Sequence, residues 1–220
     1  HLPERNTVIR IYALAGDRPG APLARPSWRE RPLLPGASLL LSDATVRAFN
    51  AFRYRRLRGG MAEELLPFPG FFFPLDAVRG WNRLYGRRGF LQHQSVLPHE
   101  AAAEGVRLTL EMLRDGGHPP YLVVLKRLGE GGGGMLSFPR EGVTLACDLP
   151  YREGLLPLLG RIDLEVVSRG GRVYLAKDAQ LRADLLEAMY PRLDDFLGVK
   201  AAIDGGGRFQ SSLSRRLGLT

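Results

Sequence analysis

The chain has 220 residues, of which 45% are hydrophobic and 25% charged, with a formal charge of +8 and four histidines. That balance predicts a globular protein with its own core and excludes disorder over the whole length. The single cysteine, Cys147, excludes an intramolecular disulfide, His1, His93, His99 and His118 lack zinc-ligand spacing, and no apolar run reaches the roughly 18 residues of a membrane span.

The start, His1-Leu-Pro3, carries neither Met nor a signal-peptide pattern, so we read it as internal to a longer polypeptide. The expected location is the cytoplasm, with peripheral membrane contact as an option. Residues 5–15 predict a strand, and residues 16–38, rich in Pro, Gly and Arg, a loop. Ser42 or Asp43 caps a helix to about Arg56, with Val46, Phe49 and Phe52 on one broad face. Residues 65–74 read as a proline-punctuated connector, and a short helix fits Leu75–Tyr85.

The spacing then becomes more informative. A strand at 88–97 leads through Pro98 into a helix to about Asp115, with Ala102, Val106, Leu110 and Leu113 on one face and Gly116-Gly117 as the stop. Strands follow at 120–128 and 142–149, joined by a glycine loop at 129–134. A helix at 151–168 and a strand at 172–176 complete the series. Strand, helix, strand, strand, helix, strand is the split βαβ order. It predicts an α+β fold, ferredoxin-like, with helices on one face of an antiparallel sheet and the other face free for a ligand. Helices are expected from Asp178 to Met189, from Pro191, and near 211–217.

Gly129-Glu-Gly-Gly-Gly-Gly134 matches G-x-G-x-x-G, but Met135-Leu-Ser-Phe-Pro139 cannot open the helix a dinucleotide loop needs. It reads as a hairpin loop, with a lid as the functional alternative. Alternation puts Gln92 and Gln94 on one strand face and His93 on the other. Two adjacent amides suit the hydroxyls of a sugar or the edge of a heterocycle, against a merely solvated sheet. Of Lys126 and Arg127, only one can point at the free face, where Lys126 could meet a phosphate. Lys177 ends the last strand, where a fixed ammonium could stabilise developing negative charge; Asp178 behind it is a natural cap. Trp28 and Trp81 read as packing residues. The 31 basic residues comprise three lysines and 28 arginines, scattered along the chain. Composition bias explains them, with a basic face for phosphates or an anionic membrane as the alternative.

The runs Phe73-Pro-Leu-Asp76, Gly80-Trp-Asn-Arg-Leu-Tyr-Gly86, Gly89-Phe-Leu-Gln-His-Gln94, Leu136-Ser-Phe-Pro139, Tyr174-Leu-Ala-Lys-Asp178 and Ala188-Met-Tyr-Pro-Arg-Leu-Asp194 stand together in order. On these runs the last two thirds of the chain resembles FAD-dependent oxidoreductases of the vanillyl-alcohol-oxidase type, and within them the decaprenylphosphoryl-ribose oxidase group. The resemblance implies a substrate domain over 1–176 and a tail over 177–220 that returns to a flavin domain outside this chain, which would hold most of the FAD. It implies oxidation of a secondary alcohol of a sugar or polyprenyl-phospho-sugar by hydride transfer to flavin. It assigns Lys177 and Gln94 to catalysis, and Gln92, Gln94, Lys126, Leu128, Thr144 and Phe72 to the substrate. Lys177 and Tyr174 would stand near the flavin. A reductase partner and an anionic membrane surface are implied, and nucleic acid is not. Members carry a Cys where Ala146 stands, an aromatic residue where Leu128 stands, and a Tyr-His pair where Phe72-Phe73 stands. These departures leave other sugars, sugar lactones and polyols open as substrates. A non-catalytic binding module and a basic nucleic-acid-binding domain are the competing readings.

Overall fold

The computed structural model describes residues 9–14, 31–32, 41–56, 62–67 and 78–220. The chain divides into two compact units, 1–87 and 88–220. Trp28, Phe72 and most of the loop expected at 16–38 lie outside the described residues.

In the first unit, β1 (Ile9–Leu14) pairs in parallel with β3 (Ala62–Pro67), and β2 (Arg31–Pro32) with β4 (Val78–Arg79). Helix α1 (Asp43–Arg56) is capped by Ser42, whose hydroxyl accepts the Thr45 N–H at 3.3 Å. Phe49 and Phe52, expected on a packed face, are exposed. Strand β3 takes the first residues of the connector expected at 65–74. Its Ala-Glu-Glu start has little strand propensity, and the pairing with β1 decides it. Of the helix expected over 75–85, residues 75–77 lie outside the described residues, Val78–Arg79 are strand β4, and Trp81–Tyr85 form a 3₁₀ turn.

The second unit has the predicted order: β5 (Phe90–Leu97), α2 (His99–Asp115), β6 (Leu122–Leu128), β7 (Gly142–Pro150), α3 (Leu155–Ser168) and β8 (Arg172–Val173). The sheet runs β6-β7-β5-β8 and is antiparallel throughout. Pro98 (φ −54°) opens α2, and the chain leaves it through Gly117 (φ 77°), a left-handed conformation that favours glycine. Helix α2 buries Ala102, Gly105, Thr109 and Leu113; α3 buries Leu155, Leu158, Leu159, Ile162 and Val166. Both pack on the strand face that carries Leu97, Leu145, Cys147 and Leu149. Full burial of each such aliphatic side chain stabilises by roughly 1.5–3 kcal/mol.

Where β5 meets β7, the backbones approach closely. A Cβ on Gly142 would stand 2.1 Å from the Leu97 carbonyl oxygen, and its φ of 149° disfavours any other residue.

After β8 the chain makes a 3₁₀ turn at Leu175–Lys177, a second at Ala183–Leu185, then α4 (Leu186–Met189), α5 (Leu193–Ile203) and α6 (Ser212–Leu217). Leu181, Leu186, Met189, Tyr190, Leu217 and Leu219 join the same core. The Tyr190 hydroxyl donates to the Val173 carbonyl at 2.6 Å. Two expectations change here. The last strand stops at Val173, so Lys177 closes a 3₁₀ turn rather than ending a strand. The helix expected from Asp178 is interrupted. The Asp178 carboxylate does accept the N–H groups of Gln180 and Leu181, as a cap would, but the backbone turns extended at Arg182 (φ −79°, ψ 143°), which no helix can pass through.

Candidate functional site

The sheet face without helices carries three rows of side chains set by strand register. Gln92, Asp148 and Leu122 form the first, Gln94, Ala146 and Val124 the second, and Val96, Thr144 and Lys126 the third. Rows on one face repeat at about 7 Å, two residues of strand rise. A depression of about 380 Å³, counted to its open mouth, lies over these rows, and Lys177 joins its wall.

Both glutamines are held in defined orientations. Gln92 Nε2 donates to Asp148 Oδ1 at 2.8 Å, and a carboxylate only accepts, so the amide nitrogen must face it. Gln94 Nε2 donates to Thr144 Oγ1 at 3.0 Å. The Thr144 hydroxyl proton is already committed to the Ser95 carbonyl at 2.8 Å, which fixes this amide as well. Among the described residues, each glutamine keeps its carbonyl oxygen and one N–H free for a ligand. Thr144 is almost fully buried and orients Gln94 from below.

The two pocket lysines differ from the third. Lys200 is paired with Asp204 at 2.9 Å. The ammonium groups of Lys126 and Lys177 have no ion pair or hydrogen bond among the described residues. With Asp148 in the floor, the rim carries an excess of positive charge directed at whatever occupies the depression.

Five expected site residues, Gln92, Gln94, Lys126, Thr144 and Lys177, therefore meet in one place. Leu128 lies on the same face one row beyond Lys126, opposite Gly142, and does not line the depression. Tyr174 stands beside Gln94, its N–H donating to the Gln94 carbonyl at 2.8 Å. Its ring stacks on Phe138, centroids 4.5 Å apart, rather than lining the depression. Cys147 points into the core, as alternation predicts, and burial pushes its thiol up to about 12. Sequence reasoning missed Asp148, although the register that pairs it with Gln92 was implicit in the strand assignments. It also missed the support behind the sheet. There His93 Nε2 and Asp163 Oδ1 lie 2.8 Å apart, both buried, and Gln180 Nε2 donates to Asp163 Oδ2 at 2.6 Å.

No family model matches the chain. It is 40% identical over 149 residues, 68% of this chain and 32% of the relative, to the decaprenylphosphoryl-beta-D-ribose oxidase of Mycolicibacterium smegmatis. It is 38% identical over 191 residues, 86% of this chain and 49% of the relative, to an uncharacterized protein in the mprA 5'region of Streptomyces coelicolor. The chain thus spans 32% of the length of the first curated relative and 49% of the second, and it is a partial relative of that oxidase.

Proposed function

We propose that residues 88–220 are the substrate-binding part of an FAD-dependent oxidoreductase that oxidises a secondary alcohol of a polyprenyl-phospho-sugar. The observation that carries this reading is the meeting of two unpartnered lysine ammonium groups with two pre-oriented glutamines on the one sheet face that no helix covers. The 40% identity to an oxidase of decaprenylphosphoryl-ribose supports it.

The free amide oxygens of Gln92 and Gln94 accept from sugar hydroxyls, and the remaining N–H groups donate to them. Leu122 and Val124 supply an apolar wall beside the two amides. Lys126, an exposed point charge at the far row, suits the phosphate. A flavin fits through this face and not through a phosphate cradle. The glycine loop opens no helix, and Arg192 holds its Gly133 carbonyl at 3.0 Å. Lys177 would suit the electron-rich N1 and C2 carbonyl edge of a flavin ring, while the Tyr174 ring, stacked on Phe138, stays outside the depression. When bound, FAD supplies the hydride acceptor: the alcohol carbon loses hydride, its hydroxyl loses a proton, and a ketone results. The contribution of Lys177 is a fixed positive charge where negative charge develops.

The test is anaerobic addition of a short-chain polyprenyl-phospho-pentose to the flavin-loaded enzyme, this chain together with the polypeptide that carries its FAD. Bleaching of the flavin absorbance is expected. Binding of the sugar without bleaching would instead make this face a binding module and end the oxidase reading.

A further inference from the structure

Lys177 reaches the depression from a segment with no strand partner beyond Tyr174. Besides the burial of Leu181 in the core, two polar attachments hold residues 178–181, directly after it. From α3, Asp163 accepts the side chain of Gln180. From α6, Arg216 pairs with Asp178 Oδ2 at 2.7 Å and donates to the Leu181 carbonyl. The Asp178 side chain is 2% exposed and its other oxygen accepts the N–H groups of Gln180 at 2.8 Å and Leu181 at 2.7 Å. One carboxylate, adjacent to Lys177, thus joins the turn to the C-terminal helix.

We infer that Arg216 is a positioning residue for Lys177: the C-terminal helix sets, through Asp178, where the ammonium of the depression stands. The inference rests on the reading of Lys177 as the working cation of that face. A buried carboxylate that loses its cationic partner must be hydrated or neutralised. The Asp178 end of the segment would shift toward water for that purpose, while Leu181 stays in the core. The Lys177 N–H donates to the Tyr174 carbonyl at 2.9 Å and Leu175 packs on the core, but the ammonium itself has no ion pair or hydrogen bond among the described residues, so the backbone of the turn sets where it stands. A purely structural Arg216 would anchor the tail and leave the ammonium where it is.

Three lysines make the test direct. Reductive ¹³C-methylation of the chain labels Lys126, Lys177, Lys200 and the amino terminus, each with its own NMR signal. In Arg216→Gln, the Lys177 signal should move toward that of a solvated lysine. The signal of Lys126, on the sheet, and that of Lys200, in α5, should stay within their linewidths. Asp178→Asn provides the second variant. It keeps an acceptor oxygen for Gln180 and Leu181 and removes the charge that Arg216 meets, and the same selective shift is expected. A Lys177 signal unmoved in both variants overturns the inference. So does displacement of all three signals together, which would make the contact a fold contact only. Failure of the oxidase reading is seen elsewhere, as flavin reduction that Lys177→Ala leaves unchanged.

Discussion

Gln92, His93 and Gln94 are consecutive residues of one strand, and the two faces they supply handle polarity in opposite ways. Behind the sheet, His93 meets Asp163, and Asp163 meets Gln180, so that polar groups sealed from water satisfy one another. On the open face, the side chains of Gln92 and Gln94 are each tied by a single bond, and the ammonium groups of Lys126 and Lys177 by none among the described residues. Satisfied buried polar groups give rigidity, because leaving one of them unpaired is costly. Partly satisfied ones at a water-exposed face are available to a ligand. Polarity alone therefore does not mark a site; polarity with unmet hydrogen-bonding capacity does.

Breaking the sealed side should have the largest effect on stability. Asp163→Ala leaves His93 and Gln180 facing an empty position, and we expect a loss of about 3–5 kcal/mol in urea unfolding. A loss under about 1 kcal/mol would mean that the network is redundant. On the open side the pattern should reverse. Lys177→Ala should slow flavin reduction in the loaded enzyme on the order of 10²–10³-fold, the usual weight of a preorganised group at developing charge, with the unfolding midpoint unchanged. Equal losses in rate and stability would erase the distinction between the faces. Gln94→Leu removes one oriented amide, and sugar binding should weaken roughly tenfold, about 1.4 kcal/mol, by titration calorimetry.

The last effect is absent at neutral pH and develops only at alkaline pH. Burial raises the Cys147 thiol from 9.0 to about 12, and burial likewise raises Tyr190 from 10.0 to about 12. Both groups bind their protons more tightly folded than unfolded. Their contribution to stability is therefore complete below about pH 9 and declines as pH rises toward 12. Cys147→Ala should flatten that decline in pH-dependent unfolding. An equally steep decline would assign it to other groups.

The open face was legible in the sequence because a period of two is a local signal. Alternation alone separates Gln92 and Gln94 from His93, and Lys126 from Arg127. The split βαβ order was legible for the same reason, from short periodic runs between glycine and proline stops. What could not be read joins residues far apart. His93 and Asp163 are 70 positions apart, and Asp178 and Arg216 are 38. The interrupted helix after Asp178 lies among such contacts. The cap is present and the helical residues come after it, but the backbone turns extended at Arg182 in a segment that distant partners, Asp163 and Arg216, hold.

Gly142 also guards against an inverted sheet. Were β7 to slip by one residue against β5, Thr144, Ala146 and Asp148 would turn toward the helices, and Leu145, Cys147 and Leu149 toward water. The depression would become greasy and the core charged. The tight crossing at the Leu97 carbonyl admits only a residue without a side chain, and the next position, Val143, is a branched one that cannot take its place. Misregistered pairings of β5 with β7 are thereby disfavoured whether or not a ligand is present to reward the correct one.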